Sequence, residues 1–303
     1  MDGLLIIDKP AGPTSHDIVQ RVRKILGLRR VGHGGTLDPE ATGVLLVAVG
    51  QGTRFFPFLS KHDKSYEGTI RLGFATDTYD ASGRAVTPES RDNPPFEAVA
   101  RAMKDLRGEI SQTPPPFSAK KVAGTPGYCL ARAGKEFTLK PVAVRIESFE
   151  PVAYDPPWLD FRAVCSPGTY VRSLAHDLGR ALGCGAHLRS LRRTSVGPYT
   201  VDMAVPLARI EEAAAAGRLS EVVLPLEKLL PELPVAVVRP EALPRLRNGA
   251  PLFPEHLASG GPAEEVRRPP RTHFRLVDAN GRLLALARSG PDGERLLPVL
   301  VLG

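Results

Sequence analysis

The chain has 303 residues, 42% hydrophobic and 24% charged, ordinary values for a globular protein with a substantial core in about two domains. That balance excludes a disordered or fibrous chain, and Met1-Asp2-Gly3 before the short Leu4–Ile7 run gives neither a signal peptide nor a membrane span. A net charge of +7 and a pI near 9.5 favour a polyanionic partner, and Cys129, Cys165 and Cys184 lie too far apart for a disulfide framework or metal site, as expected of reduced core thiols in a cytoplasmic protein.

In chain order, Leu4–Ile7 reads as a strand and Asp8-Lys9-Pro10-Ala11-Gly12-Pro13 as a turn that Lys9 and Pro10 shape. Thr14 with Asp17 three residues on forms a capping box for a helix; Ile18, Val22, Ile25 and Leu26 share a face, and Gly27 ends it. The basic run Arg21, Arg23, Lys24, Arg29 and Arg30 is either a solvated face or a set of phosphate contacts. Gly32-His33-Gly34-Gly35-Thr36-Leu37-Asp38-Pro39-Glu40-Ala41-Thr42-Gly43 then sets Asp38 in a loop with four glycines, and Pro39 pushes Asp38 out of helical geometry. The apolar run Val44–Val49 that follows reads as a buried strand. By residue type alone, Asp38 is either the head of an Asx-type turn or a carboxylate held for chemistry. Leu37 stands where a dinucleotide fingerprint needs its third glycine, and no Gly-Lys-Ser/Thr follows, so neither phosphate-binding loop is present.

Lys64–Gly73 alternates, with Tyr66, Gly68, Ile70 and Leu72 on one face of a half-buried strand, and Thr76–Gly83 reads as a polar surface turn. Phe96, Val99, Met103 and Leu106 have helical spacing before Gly108, and the stretch Thr113–Arg132 offers Lys121 and Arg132 as RNA-backbone contacts. Trp158–Cys165 is another alternating strand, after which Thr169–Leu174 enters a helix with apolar positions Val171, Leu174, Ala175, Leu178 and Leu182. Arg189, Arg192 and Arg193 form a candidate phosphate patch. Ala213–Ala216 and Leu224–Leu230 read as short helices; from about Val235 a β-rich unit with ten arginines and no lysine follows, with Ala258–Arg271 as a flexible insertion.

Gly34-Gly35-Thr36-Leu37-Asp38-Pro39-Glu40-Ala41-Thr42-Gly43-Val44-Leu45 resembles the catalytic motif of the TruB family of tRNA pseudouridine synthases, which isomerise the T-loop uridine at tRNA position 55. The resemblance implies an α+β fold: a catalytic domain over residues 1–230, built on a mixed, mainly antiparallel sheet with helices packed on it, and a small PUA-like RNA-binding domain over 235–303. It makes Asp38 the nucleophile. Lys64-Ser65-Tyr66 matches the family's Lys-x-Tyr, whose tyrosine stacks on the target base and assists proton removal from C5. Gly168-Thr169-Tyr170-Val171-Arg172 matches Gly-Thr-Tyr-x-Arg, so Arg172 is expected to pair with Asp38 and Tyr170 to line the pocket. Leu191 aligns with the apolar residue that packs over the base, and His33 with the histidine that fills the vacated stack. Phe117 stands where the family has a tyrosine, so no hydroxyl acts there.

The implied reaction breaks N1–C1′, turns the base and joins C5 to C1′; it needs no redox change and no group transfer, so neither cofactor nor metal is implied. The implied partner is the T-arm stem-loop of tRNA, bound by a cytoplasmic monomer with no membrane association. Two other readings share these residues: a non-catalytic RNA-binding or tRNA-folding protein of the same fold, and a guide-RNA-dependent synthase with the same Thr-Leu-Asp-Pro core. The Thr113–Arg132 stretch looks like the stand-alone bacterial form.

Overall fold

The computed structural model describes residues 1–90, 93–118, 120–122, 124–260, 273–291 and 293–302. The chain begins with β1 (Gly3–Lys9), α1 (Ser15–Leu26), β2 (Val31–Gly34), β3 (Thr42–Val49), the single turn α2 (Phe56–Leu59), β4 (Lys64–Leu72), α3 (Phe96–Asp105) and β5 (Gly108–Gln112). A small hairpin, β6 (Lys121–Val122) and β7 (Thr125–Pro126), leads through α4 (Gly127–Arg132) to the long β8 (Val142–Asp155) and β9 (Trp158–Cys165). Then come α5 (Val171–Ala181), β10 (Ala186–Val196), β11 (Tyr199–Thr200) and α6 (Leu207–Ala215). The last part holds β12 (Val235–Val238), α7 (Leu243–Arg247), β13 (Leu257–Ser259), β14 (His273–Val277), β15 (Leu283–Ser289) and β16 (Leu296–Val301).

Local chemistry sets these boundaries. Thr14 Oγ1 accepts from the Asp17 amide while the Asp17 carboxylate accepts from Thr14, and Gly27 closes α1 in the left-handed conformation. Elsewhere the periodicity misleads. A nine-residue helix at Leu207–Ala215 replaces the one expected over Ala213–Ala216, and only a single 3-10 turn, Leu226–Lys228, lies within Leu224–Leu230. Of the expected insertion, Ala258 and Ser259 belong to β13, and residues 261–271 lie outside the described residues. Cys165 and Cys184 are buried thiols, whereas Cys129 is exposed on α4.

The nine-stranded main sheet runs β1-β3-β10-β4-β9-β8-β5, with β2 paired to β3 and β11 to β10. Its pairs are antiparallel except β3 with β10, where Thr42 and Gly43 run beside Arg192 and Arg193. This is the mixed, mainly antiparallel α+β architecture expected, with a second sheet of order β13-β12-β14-β15-β16.

Three layers meet at β3. Leu45, Val47 and Val49 pack with Ile18, Val19 and Val22 of α1, whereas Val44, Leu46 and Ala48 face Val277, Leu283, Leu286 and Leu300 of the second sheet. Burial on both faces explains the unbroken apolar run after the Asp38 loop. A third cluster packs α3 and α5, through Val99, Met103, Leu174 and Leu178, onto β4, β8 and β9. The second sheet also receives Phe55 and Leu59, an Arg54 hydrogen bond to the Val301 carbonyl at 2.6 Å, and an edge contact of Phe58 with His273 at 5.3 Å.

Because the two sheets share this core, Leu286→Ala should destabilise both together, by about 2–5 kcal/mol. Melts followed by fluorescence of Trp158, the single tryptophan, on β9 of the main sheet, and by circular dichroism should stay coincident and shift together. An unshifted Trp158 transition beside an earlier second one would show that the sheets fold separately.

Candidate active site

The Asp38 loop is held from beneath. Lys9, 0% exposed at the end of β1, donates its three ammonium hydrogens to the carbonyls of Pro10, Pro39 and Ala41 at 2.7–2.8 Å. Ser15, the first residue of α1, accepts from the Leu37 amide at 2.9 Å and donates to the Leu37 carbonyl at 3.0 Å. The residues on both sides of Asp38 are thus fixed by side chains from elsewhere. Burial lowers the Lys9 ammonium below its ordinary value, and Glu40 and Asp38 oppose that. At the loop's exit, Gly43 has φ 95, and a side chain there would start 2.2 Å from the Arg193 carbonyl, so the parallel β3–β10 contact requires glycine.

Across from this loop, Arg172 projects from the first turn of α5. Its Nε lies 2.9 Å from Asp38 Oδ2 and its Nη2 3.1 Å from Oδ1, a two-pronged pair. Nη2 also donates to the Phe117 carbonyl at 3.1 Å; Nη1 donates to the Thr78 carbonyl at 3.1 Å and lies 3.5 Å from Asp80 Oδ2. Five donors therefore face five acceptors on a side chain only 8% exposed. Phe117 serves through its carbonyl, which any residue supplies. The helix start is itself pinned by Gln112 at the end of β5, which accepts from the Tyr170 amide at 2.8 Å and donates to the Tyr170 carbonyl at 3.1 Å.

Thr76–Gly83 is not the surface turn its polarity implies. Ala81 donates to the Leu188 carbonyl, Leu188 donates to the Tyr79 carbonyl, and the turn delivers Asp80 to Arg172. Asp80, Thr78, Gln112 and Ser15 are site residues that sequence reasoning passed over. Nothing in a short polar loop distinguishes one closing a pocket from one facing water.

A cavity of about 630 Å³ opens over the pair, lined by Asp38, Glu40, Asp80, Arg172, Arg189 and Leu191 among others. Leu191 thus shares the cavity with the Asp38–Arg172 pair. Tyr66 and Tyr170 are not in that lining. Tyr66 is buried on β4 opposite Arg193, and burial raises its phenol above the ordinary value while Arg193 opposes it. Tyr170 is half-buried at the cap of α5. His33 is half-buried on β2; burial first, then Arg193, lowers its imidazole and keeps it neutral, and its Nδ1 is buried with no hydrogen-bond partner among the described residues.

The arginine patch divides. A bulge between Leu188 and Ser190 turns Arg189 outward, where it is exposed on the cavity rim. Arg193 is 1% exposed and donates to the carbonyls of Val44 at 2.7 Å and Gly35 at 3.0 Å, so it is a buried cation that braces the loop rather than an exposed member of the patch. Arg192 is occupied by a two-pronged pair with Asp8 at 2.9 and 3.0 Å. In the basic run, Arg21 pairs with Glu211, Arg23 donates to the Val31 carbonyl and Arg30 to Thr53, which leaves Lys24 and Arg29 as its exposed free-standing members. Lys121 and Arg132 are exposed on the hairpin and α4.

The family model for the N-terminal domain of TruB family pseudouridylate synthases matches residues 23–171, and that for the tRNA pseudouridylate synthase B C-terminal domain matches residues 172–231. A curated tRNA pseudouridine synthase B of Solibacter usitatus is 40% identical over 99% of this chain and 98% of that protein. This chain belongs to the TruB family. The tRNA pseudouridine synthase B of Geobacter sulfurreducens is 42% identical over 95% of this chain and 94% of that protein. Among solved structures, an H/ACA ribonucleoprotein bound to a substrate RNA containing 2'-deoxyuridine has a chain 25% identical to this TruB-family chain. The likeness spans 99% of this chain and 85% of that one, with a TM-score of 0.76. A chain of a Cbf5-Nop10-Gar1 complex is 27% identical over 99% of this chain and 84% of that one, also with a TM-score of 0.76.

In this TruB-family site the Asp38 carboxyl is pushed above its ordinary value by burial and, secondarily, by Asp80, against the pull of Arg172 and Lys9. Since 42% of the side chain still faces solvent, water offsets part of the burial cost. The carboxyl should titrate above the ordinary aspartate value of about 3.9 when followed by carbon NMR of labelled aspartate. In Arg172→Ala it should titrate higher still, because the main charge favouring ionisation is gone. A midpoint that stays put or falls in Arg172→Ala would show that solvent, not the pair, sets the charge.

Proposed function

We propose that this protein converts uridine to pseudouridine at position 55 in the T-loop of tRNA, with Asp38 as the nucleophile. The observation that carries the reading is the two-pronged Asp38–Arg172 pair on the wall of a nucleoside-sized cavity, in a TruB-family chain. A carboxylate suits a reversible covalent partner: it is nucleophilic at neutral pH and still able to leave. Arg172 favours its charged form and aims both oxygens. A uracil stacked in the T-loop has to be flipped out, against an unstacking cost of a few kcal/mol. Leu191 receives it on the cavity wall, Tyr66 stands on the adjoining strand β4 two residues from Gly68, the partner of Leu191, and the neutral ring of His33 takes the vacated place in the stack. Tyr66, whose phenol burial raises above its ordinary value, assists proton loss from C5. The bond N1–C1′ breaks, C5–C1′ forms, and the C5 proton passes to N1 through solvent or the pocket, so no co-reactant is consumed.

Arg189, Lys121 and Arg132 are exposed and free to meet phosphates, with the strands from 235 onward as a PUA-like RNA-binding unit. The partner is the T-arm stem-loop, bound by a monomer.

The decisive experiment is incubation with an unmodified T-arm stem-loop followed by mapping of pseudouridine. Product at the T-loop uridine is expected, and none with Asp38→Asn at an RNA affinity within a few-fold of the parent; Asp38→Asn turning over at the parental rate would sink the nucleophile assignment. Arg172→Lys keeps the charge but loses the planar fork, and its single-turnover rate should fall on the order of a hundredfold.

The divided arginine patch is tested separately. Arg189→Ala should weaken RNA binding and lower the log-affinity against log-salt slope by about 1, without loss of stability. Arg193→Met should instead lower the melting temperature, because two buried carbonyls lose their donor. The opposite pattern would reverse the assignment of the two arginines.

A further inference from the structure

Asp80 and the Thr78 carbonyl reach Arg172 because the backbone between them is turned out of its ordinary range. Tyr79 has φ 64, one of two non-glycine residues with positive φ among those described. A bulky side chain takes this left-handed conformation only where its surroundings hold it there. The turn brings residues 78 and 80 to the guanidinium and residue 79 to the next turn of α5. There the Tyr79 ring lies flat on His176, with centroids 3.8 Å apart and planes 9° from parallel.

His176 stands four residues after Arg172 on α5, one turn along the same helix face. Three consecutive loop residues therefore grip two consecutive turns of one helix: 78 and 80 at Arg172, 79 at His176. The loop's far side is tied to β10, where Leu188 donates to the Tyr79 carbonyl at 3.0 Å and Ala81 donates to the Leu188 carbonyl at 2.9 Å. A rigid strand behind and a helix in front leave the turn one seating, provided that the ring stack holds. His176 Nδ1 is buried with no hydrogen-bond partner among the described residues. Burial first, and Arg180 second, lower the His176 imidazole and keep it neutral.

We infer that Tyr79 and His176 are positioning residues of the catalytic pair: their stack seats the 78–80 turn, the turn fixes Arg172, and Arg172 aims Asp38. The inference rests on Asp38 acting as proposed above. Neither Tyr79 nor His176 lines the cavity, so the stack should bear on the chemical step and not on RNA affinity.

The test compares single-turnover pseudouridine formation, RNA affinity and melting temperature for the parent, His176→Ala, His176→Phe, Arg172→Ala and the double variant His176→Ala with Arg172→Ala. His176→Ala should slow the chemical step about tenfold or more, with affinity within about threefold. His176→Phe keeps a flat aromatic face and should recover most of the rate. In the Arg172→Ala background, His176→Ala should add little, because nothing is left to position. Should His176→Ala fail to fold, Tyr79→Asn, which tolerates the left-handed backbone but has no ring, carries the same comparison. A parental rate in His176→Ala, a His176→Phe as slow as His176→Ala, or losses that multiply fully in the double variant would each overturn the inference and leave the stack as packing. A parent protein that forms no pseudouridine overturns the nucleophile reading itself, before any variant is compared.

Discussion

A guanidinium taken almost wholly out of water has to find an acceptor for every donor, and this requirement organises the site. Arg172 collects its five acceptors from three separate stretches: Asp38 from the loop before β3, Thr78 and Asp80 from the turn after β4, and Phe117 from the segment after β5. Losing one of them leaves a buried charge only partly compensated, which costs several kcal/mol in comparable settings. The cation thus acts as a gauge of correct assembly. The carboxylate it aims is in place only when three loops and the start of α5 have arrived together.

The second constraint is the two-sided burial of β3. The strand that leaves the Asp38 loop is covered by α1 on one face and by the second sheet on the other. A loop joined to such a strand inherits its rigidity, and Lys9 and Ser15 extend that rigidity up to the residues flanking Asp38. The C-terminal sheet is therefore part of the foundation of the site as well as a candidate RNA-binding surface. Arg193 joins the two roles of β10: its buried guanidinium binds the carbonyls of Gly35 and Val44 on either side of the loop, while Leu191, two residues earlier, faces the cavity.

Much of the fold was legible because its signals are local. The Thr14–Asp17 capping box, the Gly27 stop, the alternation of β4 and β9 and the apolar run of β3 each follow from the period of one element. β10 was not legible. Its sequence, Ala186–Val196, includes three arginines and two serines, yet it lies between β3 and β4 near the middle of the sheet. Its polar residues are satisfied one by one, Arg192 by Asp8 and Arg193 by carbonyls, and Arg189 escapes outward at a bulge. No periodicity announces such a strand.

The sequence by itself determined which residue types form the central pair: an aspartate in a glycine-rich loop, an arginine at the start of a helix, and a motif long enough to imply their pairing. Only the tertiary structure decided which of the remaining polar residues join them. Three neighbouring arginines of one type became a rim residue, a surface ion pair and a buried brace, because a strand's pleat and one bulge send each side chain to a different environment. A polar turn that reads like any surface loop became a wall of the pocket, because β10 and α5 hold its backbone from both sides. Charge and hydrogen-bonding capacity are written into each residue, but whether they are spent on water, on a backbone carbonyl or on the Asp38–Arg172 pair depends on neighbours that are distant in the chain.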